Sequence, residues 1–141
     1  MENDTRRILI EEDQPLEIMK KLPDAEFDIM QVVWASEPPI TSSLVMERLG
    51  RRKGWKAQTV LTLLTRLVER GFLRTEKHGK ERSYFPLIER ADYLRFETGD
   101  FMQRFHGNSF ASLVAALYDG QRLRESDLDE LARLLKERGD G

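Results

Sequence analysis

The chain has 141 residues with a formal net charge of −2, and 40% of its residues are hydrophobic and 34% charged. This length and composition indicate a globular, largely helical protein with one compact domain and a short additional element. The sequence has no cysteine, which excludes disulfides and thiolate chemistry and favours a reducing, cytoplasmic compartment. We also expect no membrane association, because no apolar run approaches the roughly 20 residues that span a bilayer.

The charge is distributed unevenly along the chain. Residues 49–82 contain ten Lys and Arg against three Glu, a balance of +7, whereas residues 1–30 have a balance of −5. A basic block inside a mildly acidic protein indicates a face that binds a polyanion such as nucleic acid. The alternative that charge alone leaves open is a basic surface that is simply solvated.

Two helices are predicted in the first third of the chain. The spacing of apolar residues predicts helix one from Asp24 to Ala35, with its first residue as the N-cap. A hydroxyl side chain, Thr41 or Ser42, is predicted to cap helix two. This second helix is expected to extend through Leu49 and to stop at Gly50.

Helix three is predicted after a basic loop at residues 51–54. The stretch from Trp55 to Arg70 has the strongest helical period in the sequence, and Gly71 follows at the position where a helix commonly ends. Trp55 is interpreted as a lid on the core. The predicted buried face of this helix consists of Val60, Leu63, Leu64 and Leu67.

A β-hairpin is predicted next, with strands at residues 72–76 and 82–87 joined by a turn at Gly79. Three helices followed by a hairpin with a basic tip are the element order of a winged helix-turn-helix. Beyond the hairpin the pattern is helical again, with breaks near Gly99 and Gly107 and a last helix that begins at Ser126.

The predicted fold is therefore mainly α with a small β-hairpin. Residues 1–20 lack turn chemistry and a sustained period, which predicts a flexible N-terminal arm. A winged helix-turn-helix DNA-binding domain is predicted over residues 21–88, and an α-helical dimerisation domain over residues 89–141.

The face of helix three opposite its apolar stripe predicts how DNA is read. In a helix-turn-helix this helix enters the major groove, where Gln pairs with adenine, Thr serves several bases and an apolar group meets a thymine methyl. We therefore predict base contacts from Gln58, Leu61 and Thr62, with a minor packing contact as the alternative for Leu61. The predicted contacts to the DNA backbone are Lys56, Thr65, Arg66, Lys77, Lys80 and Arg82.

No pattern of residues indicates catalysis or a bound metal. The sequence has no glycine-rich phosphate loop, no nucleophile and base arrangement, and no pair of carboxylates with a plausible cleft. His78 and His106 have no neighbours at the spacing of metal ligands. We therefore expect neither an enzyme nor a cofactor or metal site.

Four motifs give the chain a family resemblance. They are AEFDIMQVVW at residues 25–34, WKAQTVLTLLTRLVERGFL at residues 55–73, RSYFPL at residues 82–87 and FHGNSFASLV at residues 105–114. With these motifs, residues 22 to about 137 resemble the penicillinase-repressor (BlaI/MecI/CopY) family of winged-helix transcriptional regulators.

The resemblance implies a homodimer, joined through its C-terminal helices, that represses transcription from palindromic operators. It implies that Thr59 faces DNA together with four residues already named, and we assign Thr59 to the backbone contacts. Several relatives have basic residues where this chain has Gln58 and Leu61, which implies a different operator preference. The Cys-rich metal motif of copper-responsive members is absent.

The resemblance also bears on how repression is relieved. Members that are cut by a sensor-linked protease are cleavable in the segment matching Ser112 to Tyr118, where the corresponding bond here is Ala116–Leu117. Whether this chain is released in that way is left open by the sequence. Two other functions also stay open: a winged-helix module for protein interaction, and a regulator of the same fold that responds to a small molecule.

The segment from Tyr93 to Leu135 is predicted to hold the dimer together. Its apolar residues are too many for three short helices to bury against one another, and a symmetric partner supplies the missing surface. The predicted dimerisation residues are Phe101, Phe105, Phe110, Leu113, Leu117, Leu128, Leu131 and Leu135.

Overall fold

The computed structural model of the protein describes residues 19–140. The predicted N-terminal arm therefore lies outside the described residues, apart from its last two. Of these, Met19 is buried in the hydrophobic core and belongs to the folded part of the chain. The chain forms two compact units that meet in sequence between Phe96 and Glu97, a few residues beyond the predicted domain boundary.

Helix α1 extends over Asp24–Ala35, the predicted range. Its N-cap is Pro23, and Asp24 lies instead in the first turn, where a carboxylate is favoured by the partial positive charge of the helix N-terminus. Ile29, Met30 and Val33 are buried on the face that the apolar spacing indicated. This helix supplies one wall of the core.

Helix α2 is longer than predicted and consists of three consecutive helical segments, Ser42–Val45, Met46–Gly50 and Arg51–Lys53, of which the middle one is a wider π-helical turn. Thr41 is its N-cap, as the sequence allowed, and the Thr41 hydroxyl accepts a hydrogen bond from the Leu44 N–H.

Gly50 does not stop helix α2, which corrects the sequence prediction. Its φ of −58° is helical, and a Cβ on this residue would lie 2.5 Å from the Met46 sulfur. Glycine at this position thus leaves room for the Met46 side chain, which a Cβ would displace, and it makes no turn. The predicted basic loop is consequently the last turn of the helix, which ends at Gly54 in the left-handed conformation.

Helix α3 spans Ala57–Glu69 and has the clearest division between a buried and an exposed face. All four residues of its predicted apolar stripe are buried. Gly71, with a φ of +84°, follows the helix in the left-handed region that favours glycine, as predicted.

The sheet has three antiparallel strands in the order β1-β3-β2. Strands β2 (Leu73–His78) and β3 (Glu81–Pro86) form the predicted hairpin, in which His78 pairs with Glu81 across the turn at residues 79–80. The sequence did not indicate strand β1, Ile40–Thr41, in which Ile40 pairs with Tyr84. The hairpin is thereby tied to the segment that leads into α2.

The core of the first unit closes around an aromatic cluster. The ring of Tyr93 is fully buried and lies 5.5–6.0 Å, between centroids, from four other aromatic rings. Its hydroxyl accepts a hydrogen bond from the Leu22 N–H at 2.8 Å, and the Trp34 indole N–H donates to the Ile88 carbonyl at 2.9 Å. These contacts attach the start of α4 to the first unit.

Helix α4 extends over Arg90–His106 without the break expected near Gly99, and it ends at Gly107 as predicted. Helix α5 covers Phe110–Asp119, with the Ser109 hydroxyl accepting a hydrogen bond from the Ser112 N–H. Helix α6 covers Glu125–Asp140 and so begins one residue before the predicted start at Ser126. None of residues 97–139 in the second unit is fully buried.

Candidate nucleic-acid interface

The exposed face of α3 presents uncharged side chains flanked by basic ones. Gln58 and Thr65 are exposed, Leu61 is 39% exposed and Thr62 is half-buried. Because Val60 and the other stripe residues are buried on the opposite side, the exposed face points away from the core. Lys56, Thr59 and Arg66 are also exposed on or next to this helix.

Strands β2 and β3 form the wing, whose basic side chains are exposed. Thr75 donates a hydrogen bond from its hydroxyl to the Ser83 carbonyl at 3.0 Å, which adds a side-chain link to the backbone pairing of the hairpin. An Arg82 guanidinium N–H donates to the Thr75 hydroxyl at 3.5 Å. Lys77 and Lys80 extend the basic surface to the tip of the wing.

A groove of about 800 Å³ brings α3, the wing and the start of α2 to one surface. We call it the wing groove. Hydroxyl groups, three cationic side chains and a few apolar groups line it, with Glu81 as its one carboxylate among the described residues. Its lining comprises Thr41, Ser42, Ser43, Leu61, Thr65, Val68, Thr75, Lys77, Lys80, Glu81, Arg82 and Tyr84.

Ion pairs divide the basic block into two sets. Three of its ten cations are bound to carboxylates within the first unit: Lys53 to Asp28 at 3.1 Å, Arg70 to the buried Glu26 at 2.6 Å, and Arg74 to Glu76. The other seven have no carboxylate partner within residues 19–139. They are Arg51, Arg52, Lys56, Arg66, Lys77, Lys80 and Arg82, a set that includes every cation of the predicted interface.

On the face of the wing opposite the groove, Glu76 contacts both Arg74 and His78. Hydrogen bonds from Arg74 and from His78 hold the pKa of Glu76 below its usual value, so this carboxylate stays ionised between its two partners. The guanidinium of Arg74 also lies 4.2 Å from the centre of the Phe85 ring. The charge of Arg74 is therefore neutralised within the wing.

Two aromatic residues near the interface are largely part of the core. Tyr84 is 3% exposed, and burial raises the pKa of its phenol. Trp55, which was predicted to cover the core, is partly buried and packs against it. Tyr84 therefore offers no open face for stacking on a base.

Sequence reasoning missed the contribution of the α2 N-terminus. Thr41 and Ser42 were considered only as caps and Ser43 was not singled out, yet all three line the wing groove. The only available signal was a cluster of hydroxyl residues at a predicted helix start. Its placement depends on strand β1, which was not predictable from two residues.

Residues 19–139 contain no group of His, Asp or Glu side chains that could hold a metal ion. The His78 ring lies 3.2 Å from a Glu76 oxygen, and His106 Nδ1 lies 2.8 Å from the Ser112 hydroxyl. Across the part of the chain that the structure describes, no helix is both long and apolar enough to span a bilayer.

Three helices, the third with an exposed polar face beside a basic hairpin, define a winged helix-turn-helix protein. Comparison with known proteins gives the family. The model of the penicillinase repressor family matches residues 22–137. The penicillinase repressor of Bacillus licheniformis is 31% identical over 122 residues, which cover 84% of this chain and 94% of that protein.

The methicillin resistance regulatory protein MecI of Staphylococcus aureus is 25% identical over 118 residues, covering 84% of this chain and 95% of the relative. The solution structure of the DNA-binding domain of the repressor BlaI is 35% identical, covers 53% of this chain and 94% of that domain, and has a TM-score of 0.46. The chain belongs to the penicillinase repressor family, and it is a DNA-binding transcriptional repressor.

Proposed function

We propose that the protein acts as a homodimer that binds a palindromic operator, with α3 of each protomer in the major groove and the wing against the adjacent backbone. One observation carries the proposal: five cations without a carboxylate partner in the described residues lie at the start of α3, on α3 or on the wing, beside the uncharged, exposed face of α3. They are Lys56, Arg66, Lys77, Lys80 and Arg82. A face of this kind attracts phosphates at its rim and presents hydrogen-bonding groups to bases at its centre. The proposal assigns the chain no enzymatic role.

Base reading is assigned to Gln58, Leu61 and Thr62. The Gln58 amide is exposed and can form a bidentate pair with adenine. Leu61 is 39% exposed on this face, and contact with a thymine methyl would cover it. Thr62 is half-buried, which restricts it to a short-range contact close to the helix axis.

Backbone contacts are assigned to side chains around this centre. Lysine and arginine neutralise phosphates, and threonine hydroxyls donate hydrogen bonds to them, so that these groups set the register of the protein on DNA without reading sequence. Every member of the set is exposed. The assigned residues are Lys56, Thr59, Thr65, Arg66, Lys77, Lys80 and Arg82.

The second unit is assigned to dimerisation. Large apolar side chains remain exposed there, including Phe105 at 62% and Leu135 at 58%. A second copy of the same unit would cover these side chains and at the same time present two α3 helices to the two halves of a palindrome. The proposed contact residues are Phe101, Phe105, Phe110, Leu113, Leu117, Leu128, Leu131 and Leu135.

Release from DNA by a sensor-linked protease belongs to the same proposal. The Ala116–Leu117 bond lies in α5, where Ala116 is exposed and Leu117 half-buried. Cleavage there would separate the first unit from all of α6 and from Leu117 itself. The cut protein would then bind each half-operator on its own, with the lower affinity of a monomer.

The test is to titrate the DNA upstream of the protein's own gene and a random duplex of equal length with three full-length variants. Gln58→Ala should lose about 1–3 kcal/mol on the operator and much less on random DNA, because it removes a base contact. Lys80→Ala should weaken binding to both duplexes alike. Gln31→Ala, on the exposed face of α1, is the matched control and should bind as the parent does.

Two outcomes would contradict the assignment. An equal loss on both duplexes in Gln58→Ala would move Gln58 to the backbone contacts. If the parent protein binds the upstream DNA no better than the random duplex, it does not bind an operator sequence-specifically. The winged helix would then serve protein interaction instead.

A further inference from the structure

A second groove, of about 400 Å³, lies between α1 and α2, and we call it the α1–α2 groove. Apolar groups of Val32, Ala35 and Leu49 contribute to its wall, and three cationic side chains line it together with the Asp28 carboxylate. None of its lining residues is among the proposed DNA contacts. Its full lining is Asp28, Gln31, Val32, Ala35, Ser36, Arg48, Leu49, Arg52 and Lys53.

The positive charge of the α1–α2 groove is only partly neutralised. Lys53 is paired with Asp28 at 3.1 Å. Arg48 donates a hydrogen bond to the Ser36 hydroxyl at 3.0 Å, which orients the guanidinium but leaves its charge unbalanced. Arg52 lies one helical turn further along and is exposed, and neither arginine has a carboxylate partner within residues 19–139. Arg48 is oriented, Arg52 is exposed, and neither is neutralised, so together with the apolar groups beside them they favour an occupant that carries carboxylates next to apolar residues.

The chain itself contains a segment of that chemistry. Residues 1–18 carry six acidic residues against two arginines, and the run Glu11-Glu12-Asp13 directly follows Ile8-Leu9-Ile10. These residues precede the part of the chain that matches the family model, which begins at residue 22. The segment is therefore a property of this chain that membership of the family does not explain.

A short tether joins the acidic run to the folded part of the chain. Met19 is anchored in the core just before α1 begins at Asp24. The groove residues Gln31 to Ser36 lie about 10–18 Å along α1 from its start, at 1.5 Å per residue. Five residues lie between Asp13 and Met19, and the six Cα–Cα steps that join them span up to about 20 Å when extended. A tether of this length is of the same order as the part of α1 that borders the groove.

We propose that residues 8–13 dock in the α1–α2 groove of the same protomer, with carboxylates of Glu11, Glu12 and Asp13 paired to Arg48 and Arg52 and apolar side chains against Val32 and Leu49. The groove then holds an internal acidic peptide. This contact is separate from the DNA-binding face, and the inference does not depend on the proposed operator function.

The absence of cysteine allows a direct test on the full-length protein. Gln14→Cys provides a single site for a nitroxide spin label next to the acidic run. At low salt we expect the label to remove the amide NMR signals of residues that line the α1–α2 groove, such as Val32, Ser36 and Arg52. At 1 M salt, where the Debye length is only about 3 Å, the signals should return.

Three variants in the labelled background make the test specific. Glu11→Gln/Glu12→Gln/Asp13→Asn should restore the groove signals at low salt without touching the described fold. Arg48→Gln/Arg52→Gln should restore the remaining groove signals as well. Arg51→Gln removes a neighbouring cation that does not line the groove, and it should leave the signal loss unchanged.

Two results would overturn the proposal. Groove signals that persist in the labelled parent, or a signal loss that the triple acidic variant does not relieve, would show that the acidic run does not dock there. Loss of groove signals from ¹⁵N protein that carries no label, when it is mixed with spin-labelled ¹⁴N protein, would show that the occupant comes from a second copy.

Discussion

The two units of the chain contain similar apolar residues but bury them to different extents. In the first unit, Ile29, Leu64 and Tyr93 are fully buried in a core shared by three helices and a sheet. In the second unit, the tilted rings of Phe101 and Phe105 lie 5.1 Å apart between centroids and yet remain 43% and 62% exposed. The apolar residues of the first unit thus complete a fold, whereas large apolar side chains of the second remain exposed in the described residues.

The difference shows what each unit needs in order to be stable. A closed core provides the free energy of folding from within one chain, since buried side chains leave water on folding. An exposed apolar surface of large side chains provides that free energy only when a second chain covers it. The first unit should therefore fold by itself, and the second should depend on dimerisation.

The same substitution made in both units should have the largest difference in effect on the stability of the first unit. Phe72 is 2% exposed, so Phe72→Ala should lower the free energy of unfolding of the first unit by about 3–5 kcal/mol through lost burial and a cavity. Both tryptophans, Trp34 and Trp55, lie in the first unit, so their fluorescence during urea unfolding follows that unit.

Phe105→Ala is the matched control for Phe72→Ala. It should shift the tryptophan transition by less than about 0.5 kcal/mol, because an exposed side chain in the other unit contributes nothing to this core. It should instead weaken dimerisation, measured by sedimentation. Comparable losses of stability in both variants would mean that the two units fold as one.

Truncation after Ala116 should have the next largest effect. The shortened chain lacks Leu117 and all of α6, and it should sediment as a monomer whose tryptophan transition is retained. Its operator affinity should fall by about 100-fold or more, because the second half-site is no longer bound at a high effective concentration. A truncated protein that stays dimeric, or binds its operator as tightly as the full chain, would give the C-terminal helices another role.

The fold of the first unit was largely predictable because its helices have one-sided burial. The period of α3 fixed its buried face, and the bounds of α1 followed from a regular apolar spacing. Gly50 and Gly99 misled the prediction, because a glycine that permits close packing or occurs within a helix looks like a glycine that ends one. Strand β1 has only two residues, too few for any period.

The exposed residues of the candidate interface were predictable from the sequence, but the ion pairs that neutralise part of the basic block were not. The exposed positions of Gln58 and Leu61 follow from the helical period alone. Which cations are neutralised depends on tertiary contacts, such as those of Arg70 with Glu26 and of Lys53 with Asp28. These pairs join residues far apart in sequence, so counting charges along the chain overestimated the available positive charge.

Each unit has a helix whose N-cap hydroxyl can be removed by a single substitution, and these two substitutions should have the smallest effects. Thr41→Ala removes the hydrogen bond to the Leu44 N–H and should cost about 1 kcal/mol in the tryptophan transition. Ser109→Ala removes the equivalent bond to the Ser112 N–H in the second unit. It should leave that transition unchanged and weaken dimerisation by about the same free energy. Identical effects of the two variants on the tryptophan transition would contradict the independence of the units.

The salt dependence of DNA affinity tests most directly whether the protein binds its operator through the cations that lack carboxylate partners. With about five phosphate contacts per protomer of a dimer, the slope of log K against log salt should be on the order of −9. Lys80→Ala or Arg82→Ala removes one contact from each protomer and should flatten the slope by about two units in the dimer. A slope near zero in the parent protein would contradict the account.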